Sequence, residues 1–432
     1  MFILGQSFVW SVVLIASAEL AWDYWLSSRQ LKYLSKKKTS QNSSFFNHTS
    51  FASLSSSSDS YLYANQKIKL AQLRSVFFYL LFLFWIPFGG LRMFEEFWKI
   101  FPFPKIWSGC CFLISILWLE DTLRTLFSAI RTFGIESRFG FNRTTPILFL
   151  FDQVGHWILS LFFLCPLFLL FLWIKELSSL WWLYCWAIWI ILLFLIEWML
   201  PVWIIPLFYR LKPLEDKDLK DKIEKVFKKN GFPIHQIFVM EGSKRSLHSN
   251  AFLTGFGKHR RIILYDTLTN QLDREELIAV LFHELAHYRL GHLWKSRLIT
   301  LLGGLVMFLF LNLLDTHKTW IAAFSLDPNW SPSTFGLAIV LMPLFLYPLE
   351  PLKNWLLRKA EKESDAFAAL KWAAEPLIEA LKKIVSTNYL TYDSDPLYSM
   401  FYESHPSVFE RIRWIEKISI HREEPPAIPC QH

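Results

Sequence analysis

His283, Glu284 and His287 stand in the order H-E-x-x-H, with Leu285 and Ala286 between the acid and the second histidine. On a helix, residues four apart lie one turn apart on one face, so the two imidazoles can converge on a single ion. Zinc takes nitrogen and oxygen ligands in a tetrahedron, and a catalytic site leaves one position for water. Glu284, beside the first histidine, is then placed to take a proton from that water and pass it to a leaving amine. The chemistry indicated is peptide-bond cleavage by a zinc metalloendopeptidase with one zinc per chain. An ordinary amphipathic helix can carry the same residues, so the context of the motif decides its meaning.

A third ligand is needed, and two places offer one. His292 lies nine positions after His283, just beyond Gly291. On a continuing helix, nine steps of about 100° turn it to the face opposite His283. The run Glu361, Lys362, Glu363, Ser364, Asp365 supplies a carboxylate instead. Glu361 could bind zinc while Asp365, a turn later, orients a ligating histidine through its free N–H. Read without the upstream motif, the same run is a solvated charged helix face.

The elements that must position these residues belong to a membrane protein. The chain of 432 residues is 53% hydrophobic and only 19% charged, with 41 Phe and 21 Trp, a composition that suits the bilayer better than water. A span needs about 20 mostly apolar residues, and seven stretches are expected to cross: 2–25, 76–94, 106–119 with its flanks, 146–174, 180–208, 298–314 and 334–349. The first lacks a basic n-region and a small-residue cleavage site, so it reads as a retained span. The net charge of +8 comes from Lys and Arg lying between spans. That placement excludes nucleic acid as the partner and leaves membrane lipid. Basic residues crowd the first loop (Arg29, Lys32, Lys67, Arg74) and the third (Arg124, Arg131, Arg138, Arg143) but are sparse in the second, fourth and sixth. By the positive-inside rule the N-terminus is outside and the metal site is cytosolic. Cys110, Cys111, Cys165, Cys185 and Cys430 form no metal or disulfide pattern.

Four divisions follow: residues 1–208 with spans one to five and a Ser-rich linker at about 39–66, a zinc-protease segment 209–297, spans six and seven at 298–350, and a C-terminal segment 351–432. In the second division, Leu219, Ile223, Val226 and Phe227 recur at helical spacing before an Asn230-Gly231 stop. Strands are expected at 237–240, 250–255 and 261–265, with Gly255, Gly257 and Lys258 at a hairpin turn. Asp273 and Glu276 form a capping box that starts the helix bearing the metal motif. Asp152, His156 and Glu197 fall inside spans; they line an aqueous chamber or reach the interface.

Several motifs in order resemble the type I CAAX prenyl protease family, integral-membrane zinc peptidases of the endoplasmic reticulum with bacterial relatives. They are Thr132–Glu136 with Gly140–Thr145, Ser249–Phe252 with Gly255-Phe256, Arg261–Leu268, His283–His292, Glu361–Ala368, and His405-Pro406 through Glu410-Arg411. The resemblance implies a mainly α, multi-pass fold in which seven transmembrane helices surround an internal chamber, closed at its cytosolic end by an α+β zincin-type domain. It implies that Asn250 and Ala251 bind the substrate backbone by strand addition, and that His405 and Arg411 stabilise the oxyanion. The substrates it implies are prenylated proteins or peptides that lose their last three residues. The membrane is that of the endoplasmic reticulum in a eukaryote and the inner, plasma membrane in a bacterium. The same motifs serve a membrane quality-control protease with no prenyl requirement, and a transporter or receptor with an inactive site is the non-enzymatic alternative. The Ser-rich first loop departs from the family pattern. Cys430, third from the end, does not make the chain itself a CAAX substrate. The motifs leave the oligomeric state open.

Overall fold

The computed structural model describes residues 2–40, 58–234, 236–255 and 260–423. It is mainly helical. α1 (Phe2–Ser40) packs on α2 (Ser58–Trp85), and α3 (Gly90–Ile100) follows a turn. α4 (Lys105–Ala129) runs on as a π-helical segment, Ile130–Glu136. α5 (Pro146–Leu177) comes next, then α6 (Trp181–Met199), which passes through the π-helical Leu200–Ile204 into α7 (Ile205–Phe208). Among the described residues, six helices are long and apolar enough to cross a membrane: Asp59–Trp85, Lys105–Glu136, Pro146–Leu177, Trp181–Phe208, His292–Thr316 and Ser331–Lys371. The first apolar stretch, 2–25, lies on α1.

The second expected span is displaced. Its helix ends at Trp85, well before 94, because Pro87 has no N–H to donate and Gly89 takes a left-handed φ of 73°. It also starts at Ser58, so residues 58–66 are helix rather than linker. Tyr63 explains the early start: it is buried against Ile135 and Phe141, and that contact orders the turn around it. The rest of the Ser-rich stretch, and Gly257 and Lys258 of the expected turn, lie outside the described residues.

Beyond α7 comes a small sheet flanked by helices. α8 (Lys217–Lys229) buries Leu219, Ile223 and Phe227; Asp216 caps its start by accepting from the Leu219 N–H at 2.9 Å, and Gly231 at φ 72° ends it. The strands are β1 (Leu211–Pro213), β2 (Gln236–Met240), β3 (Ala251–Thr254) and β4 (Arg261–Tyr265), in the order β1-β2-β4-β3. β1 pairs antiparallel with β2, β2 parallel with β4, and β3 antiparallel with β4. The sequence reading omits β1, since three residues ending in proline carry no alternation. β3 is therefore an edge strand.

α9 (Asp266–Gln271) leads into α10 (Arg274–Arg289), then α11 (His292–Thr316), α12 (Lys318–Ala323) and α13 (Ser331–Leu346). A 3₁₀ turn, Tyr347–Leu349, joins α13 to α14 (Glu350–Lys371), so the last apolar helix continues directly into the Glu361 run. α15 (Ala374–Thr387), α16 (Pro396–Tyr402) and α17 (Val408–Glu423) complete the chain. Residues of α8, the sheet, α10, α14, α15 and α17 share one apolar core. The two soluble segments, distant in sequence, thus fold as one unit. Phe282 sits at its centre, 5.6 Å from the Phe227 ring and stacked on Trp372 at 5.5 Å.

A cavity of about 1230 Å³ lies among the apolar helices. Its wall is mostly apolar, but Glu19, Asp23, Arg74, Glu120, Arg124 and Asn354 are among the side chains that line it, and facing a cavity spares such groups contact with lipid. Asp152, His156 and Glu197 do not line this cavity. Two of them are neutralised by pairing instead: Arg245 Nε donates to Asp152 at 2.8 Å and Arg297 Nε to Glu197 at 3.0 Å. His156 lies 3.6 Å from Asp121. Sequence reading lacked the partners, which come from separate segments of the chain.

Candidate active site

α10 starts where the capping box puts it. The Asp273 side chain accepts from the Glu276 N–H at 2.9 Å, and Glu276 returns the bond to the Asp273 N–H at 2.9 Å. Leu277, Ile278, Leu281, Phe282 and Leu285 are buried in the shared core. That fixes the rotation of the helix and turns His283 and His287 toward α14.

There the two histidines meet Glu361. The Nε2 atoms of His283 and His287 are 3.2 Å apart; His287 Nε2 is 3.2 Å from Glu361 Oε1, and His283 Nε2 is 3.5 Å from Oε2. One donor atom from each of the three lies within 4.8 Å of the others. Glu361 Oε2 is buried with no hydrogen-bond partner of good geometry. A buried carboxylate that keeps an oxygen without a hydrogen bond and faces the His283 and His287 nitrogens with its two oxygens fits a divalent cation. Electrostatics agree: burial opposes charge on His283, yet Asp365 and Glu361 outweigh it and raise its pKa to about 9. Positive charge is favoured at this point.

The far nitrogens of the rings are held by two separate supports. His283 Nδ1 lies 2.8 Å from Asp365 Oδ1. Asp365 is fully buried and accepts from Arg411 Nε at 2.9 Å, Arg411 Nη2 at 2.7 Å and Trp414 Nε1 at 3.0 Å. A carboxylate can only accept, so His283 donates from Nδ1; in the neutral ring that a bound cation would require, this leaves the Nε2 lone pair on the side of Glu361. His287 Nδ1 lies 3.3 Å from His292 Nδ1, and His292 Nε2 lies 2.9 Å from Glu363 Oε2. With its Nε2 proton on Glu363, His292 accepts at Nδ1, so His287 also donates there and keeps its Nε2 lone pair free.

His292 is not in the converging group, although the expected geometry differs. The helix does not continue: α10 ends at Arg289, Gly291 takes φ 72°, and α11 begins at His292. The break swings His292 behind His287 rather than to the opposite face of one helix. Trp414 and Glu363 were not singled out from sequence. Trp414 lies far along the chain from Asp365, to which it donates, and Glu363 from His292, and neither carries a local signal.

Glu284 is partly buried beside His283. Burial raises its pKa above the ordinary carboxylate range, against the lowering effect of His283 and His287. Arg411 is held charged, its burial outweighed by Asp365. His405 Nδ1 lies 2.9 Å from Glu361 Oε2 while the ring is 65% exposed, so one edge faces the carboxylate and the other the opening.

Both halves of the chain resemble known proteins. Residues 30–210 match the family model described as CAAX prenyl protease N-terminal, five membrane helices, and residues 213–419 match peptidase family M48. A CAAX prenyl protease 1 homologue of Arabidopsis thaliana is 35% identical over 324 residues, covering 73% of this chain and 75% of its own. The chain belongs to the CAAX prenyl protease 1 family. A Homo sapiens homologue is 31% identical over 69% of this chain and 73% of its own. The crystal structure of Ste24p from S. mikatae superposes with a TM-score of 0.84 at 26% identity, covering 94% of this chain and 98% of that one. The protein is thus a membrane metallopeptidase of the CAAX-processing type.

In this CAAX prenyl protease family member, the open edge of β3 lies next to α10. The Asn250 carbonyl accepts from the Tyr265 N–H at 3.0 Å, so it faces β4. A trans peptide points the next N–H the opposite way, which turns the Ala251 N–H to the open edge. Asn250 itself is exposed, and its Oδ1 accepts from that N–H at 2.8 Å. Arg358 and Asn354 of α14 donate to the carbonyls of Ser399 and Phe401, at 2.5 and 2.6 Å, and so hold the segment that leads to His405. Ser404 lines the large cavity, which therefore reaches the segment that carries His405.

Proposed function

We propose that this chain is a zinc metalloendopeptidase with seven membrane spans, α1 being the seventh. It releases C-terminal tripeptides from prenylated CAAX-type substrates through an α+β zincin-type unit on the cytosolic side. His283, His287 and Glu361 hold one zinc per chain. The convergence of their donor atoms within 4.8 Å carries this reading. Bound zinc would lower the pKa of a water to about 7 and polarise the scissile carbonyl.

Glu284 takes the proton of the attacking water and delivers it to the leaving amine, a transfer that its raised pKa favours. Asp365 orients His283, as its 2.8 Å contact supports. His405 and Arg411 stand on the side of Glu361 where they can meet the developing oxyanion, at 2.9 and 3.6 Å from its Oε2. Asn250 and Ala251 take the substrate as an added strand. The distribution of Lys and Arg among the loops supports a cytosolic site. In a eukaryote the membrane is that of the endoplasmic reticulum, and in a bacterium the plasma membrane. The divisions 1–208, 209–297, 298–350 and 351–432 then alternate membrane body and protease unit.

The test is cleavage by purified full-length protein of matched C-terminal peptides with and without a farnesyl group, with Glu284→Gln as the blank. Farnesyl-dependent release of the last three residues is expected, and Glu284→Gln is expected to lose about 10²–10⁴-fold in turnover. Equal cleavage of both peptides would overturn the prenyl requirement.

A further inference from the structure

A second cavity, of about 500 Å³, adjoins the large one, with Arg74 and Arg124 lining both. Its charged lining is lopsided: Lys67, Arg74, Arg124 and Arg131 against the single carboxylate of Glu403. Two of the cations are already engaged from behind, Arg131 by Glu136 at 2.9 Å and Arg124 by Glu120 at 3.7 Å. Among the described residues, Lys67 and Arg74 make no hydrogen bond or ion pair; the Lys67 ammonium lies 4.7 Å from the centre of the Tyr63 ring. Lys67 is partly buried and Arg74 is exposed at the cavity wall; a partly buried cation without a counter-ion is costly, and an anionic ligand removes that cost.

The position of the cavity says which anion. Tyr63 lines it, and the Tyr63 hydroxyl reaches His248 Nε2 at 3.3 Å and Glu136 at 2.9 Å. Asn388 Oδ1 lies 2.7 Å from His248 Nδ1 and accepts from the Ser249 N–H at 3.4 Å. The cavity is thereby tied to the residues that enter β3 at Asn250. On the other side Glu403, also in its wall, stands two residues before His405. A peptide lying along the β3 edge with its cut bond at the metal sends one end past Ser249 and His248 toward these cations. Three extended residues cover about 10 Å.

We infer that this cationic cavity anchors the free C-terminal carboxylate of the substrate, with Lys67 and Arg74 as its unpaired cations. The inference rests on the tripeptide-release reading above and deepens it. Anchoring the chain end fixes the register, so the cut falls three residues from the terminus instead of anywhere along an extended strand.

The experiment compares two farnesylated peptides of one sequence, one ending in a free carboxylate and one in a carboxamide, with full-length protein in phosphatidylcholine nanodiscs. The acid is expected to have a KM about tenfold lower than the amide, the scale of one charge-assisted hydrogen bond. In Lys67→Gln and in Arg74→Gln the ratio of kcat/KM for acid over amide falls toward one, through KM, while Lys67→Arg restores it. A residue that only supports the fold would lower both peptides together and leave the ratio intact. Equal KM values in the wild type overturn the anchor without any substitution, and so does an unchanged ratio in both glutamine variants. If neither peptide is cut, or the cut falls elsewhere than three residues from the end, the tripeptide reading itself fails and the anchor falls with it.

Discussion

The two histidines of the site are held from different parts of the molecule and in different ways. His283 leans on Asp365, a fully buried carboxylate clamped by Arg411 and Trp414 inside the soluble core. His287 leans on His292, which leans on Glu363, a side chain 38% exposed where the soluble unit meets α11. The first support is direct, dry and over-determined. The second is a relay with one end in solvent, where an ion pair is screened and contributes little. Loss of the first therefore costs both metal and fold, and loss of the second mainly loosens one ring.

Removing the group that both histidines face has the largest expected effect. Glu361→Ala should purify without stoichiometric metal and without turnover, as read by inductively coupled plasma mass spectrometry and peptide cleavage; unchanged metal content would place the third ligand elsewhere. Asp365→Asn comes next. It leaves Arg411 largely buried without its anion, so a loss of about 3–5 kcal/mol in stability is expected, with metal affinity down about 10–100-fold. Thermal unfolding and chelator competition measure the two. His292→Ala should lower metal affinity about tenfold while its melting temperature stays closer to wild type than that of Asp365→Asn. The smallest effect belongs to Glu363→Gln, about fivefold or less in affinity, since its partner is only partly shielded. If Glu363→Gln weakens metal binding as much as Asp365→Asn, the two supports are equivalent and the distinction drawn from their burial is wrong.

Much of the local structure was legible in the residues themselves. The capping box of Asp273 and Glu276, the Asn230-Gly231 stop and the H-E-x-x-H face all depend on neighbours within a turn, and each stands where the pattern puts it. Misreadings arose where long-range contact overrode local pattern. Residues 58–66 look like linker but are helical because Tyr63 packs on Ile135 and Phe141. Asp152 and Glu197, for which the sequence leaves a chamber or the interface open, are neutralised by Arg245 and Arg297. Gly291 adjoined a continuous helical pattern, yet its positive φ ends the helix and redirects His292.

From its sequence alone this protein is a membrane protein with one helix carrying an H-E-x-x-H motif, because hydropathy and helical periodicity are sums over adjacent residues. Family resemblance in the ordered motifs added the reaction. Only the tertiary structure decided that Glu361 completes the converging group, that Asp365 and Glu363 prop the rings from opposite sides, and that four cations from α2, α4 and the π-helical segment after it line one cavity. Those groups are far apart along the chain. They meet because burying the apolar faces of α10 and α14 in one core leaves their polar faces opposed across a gap of a few ångströms.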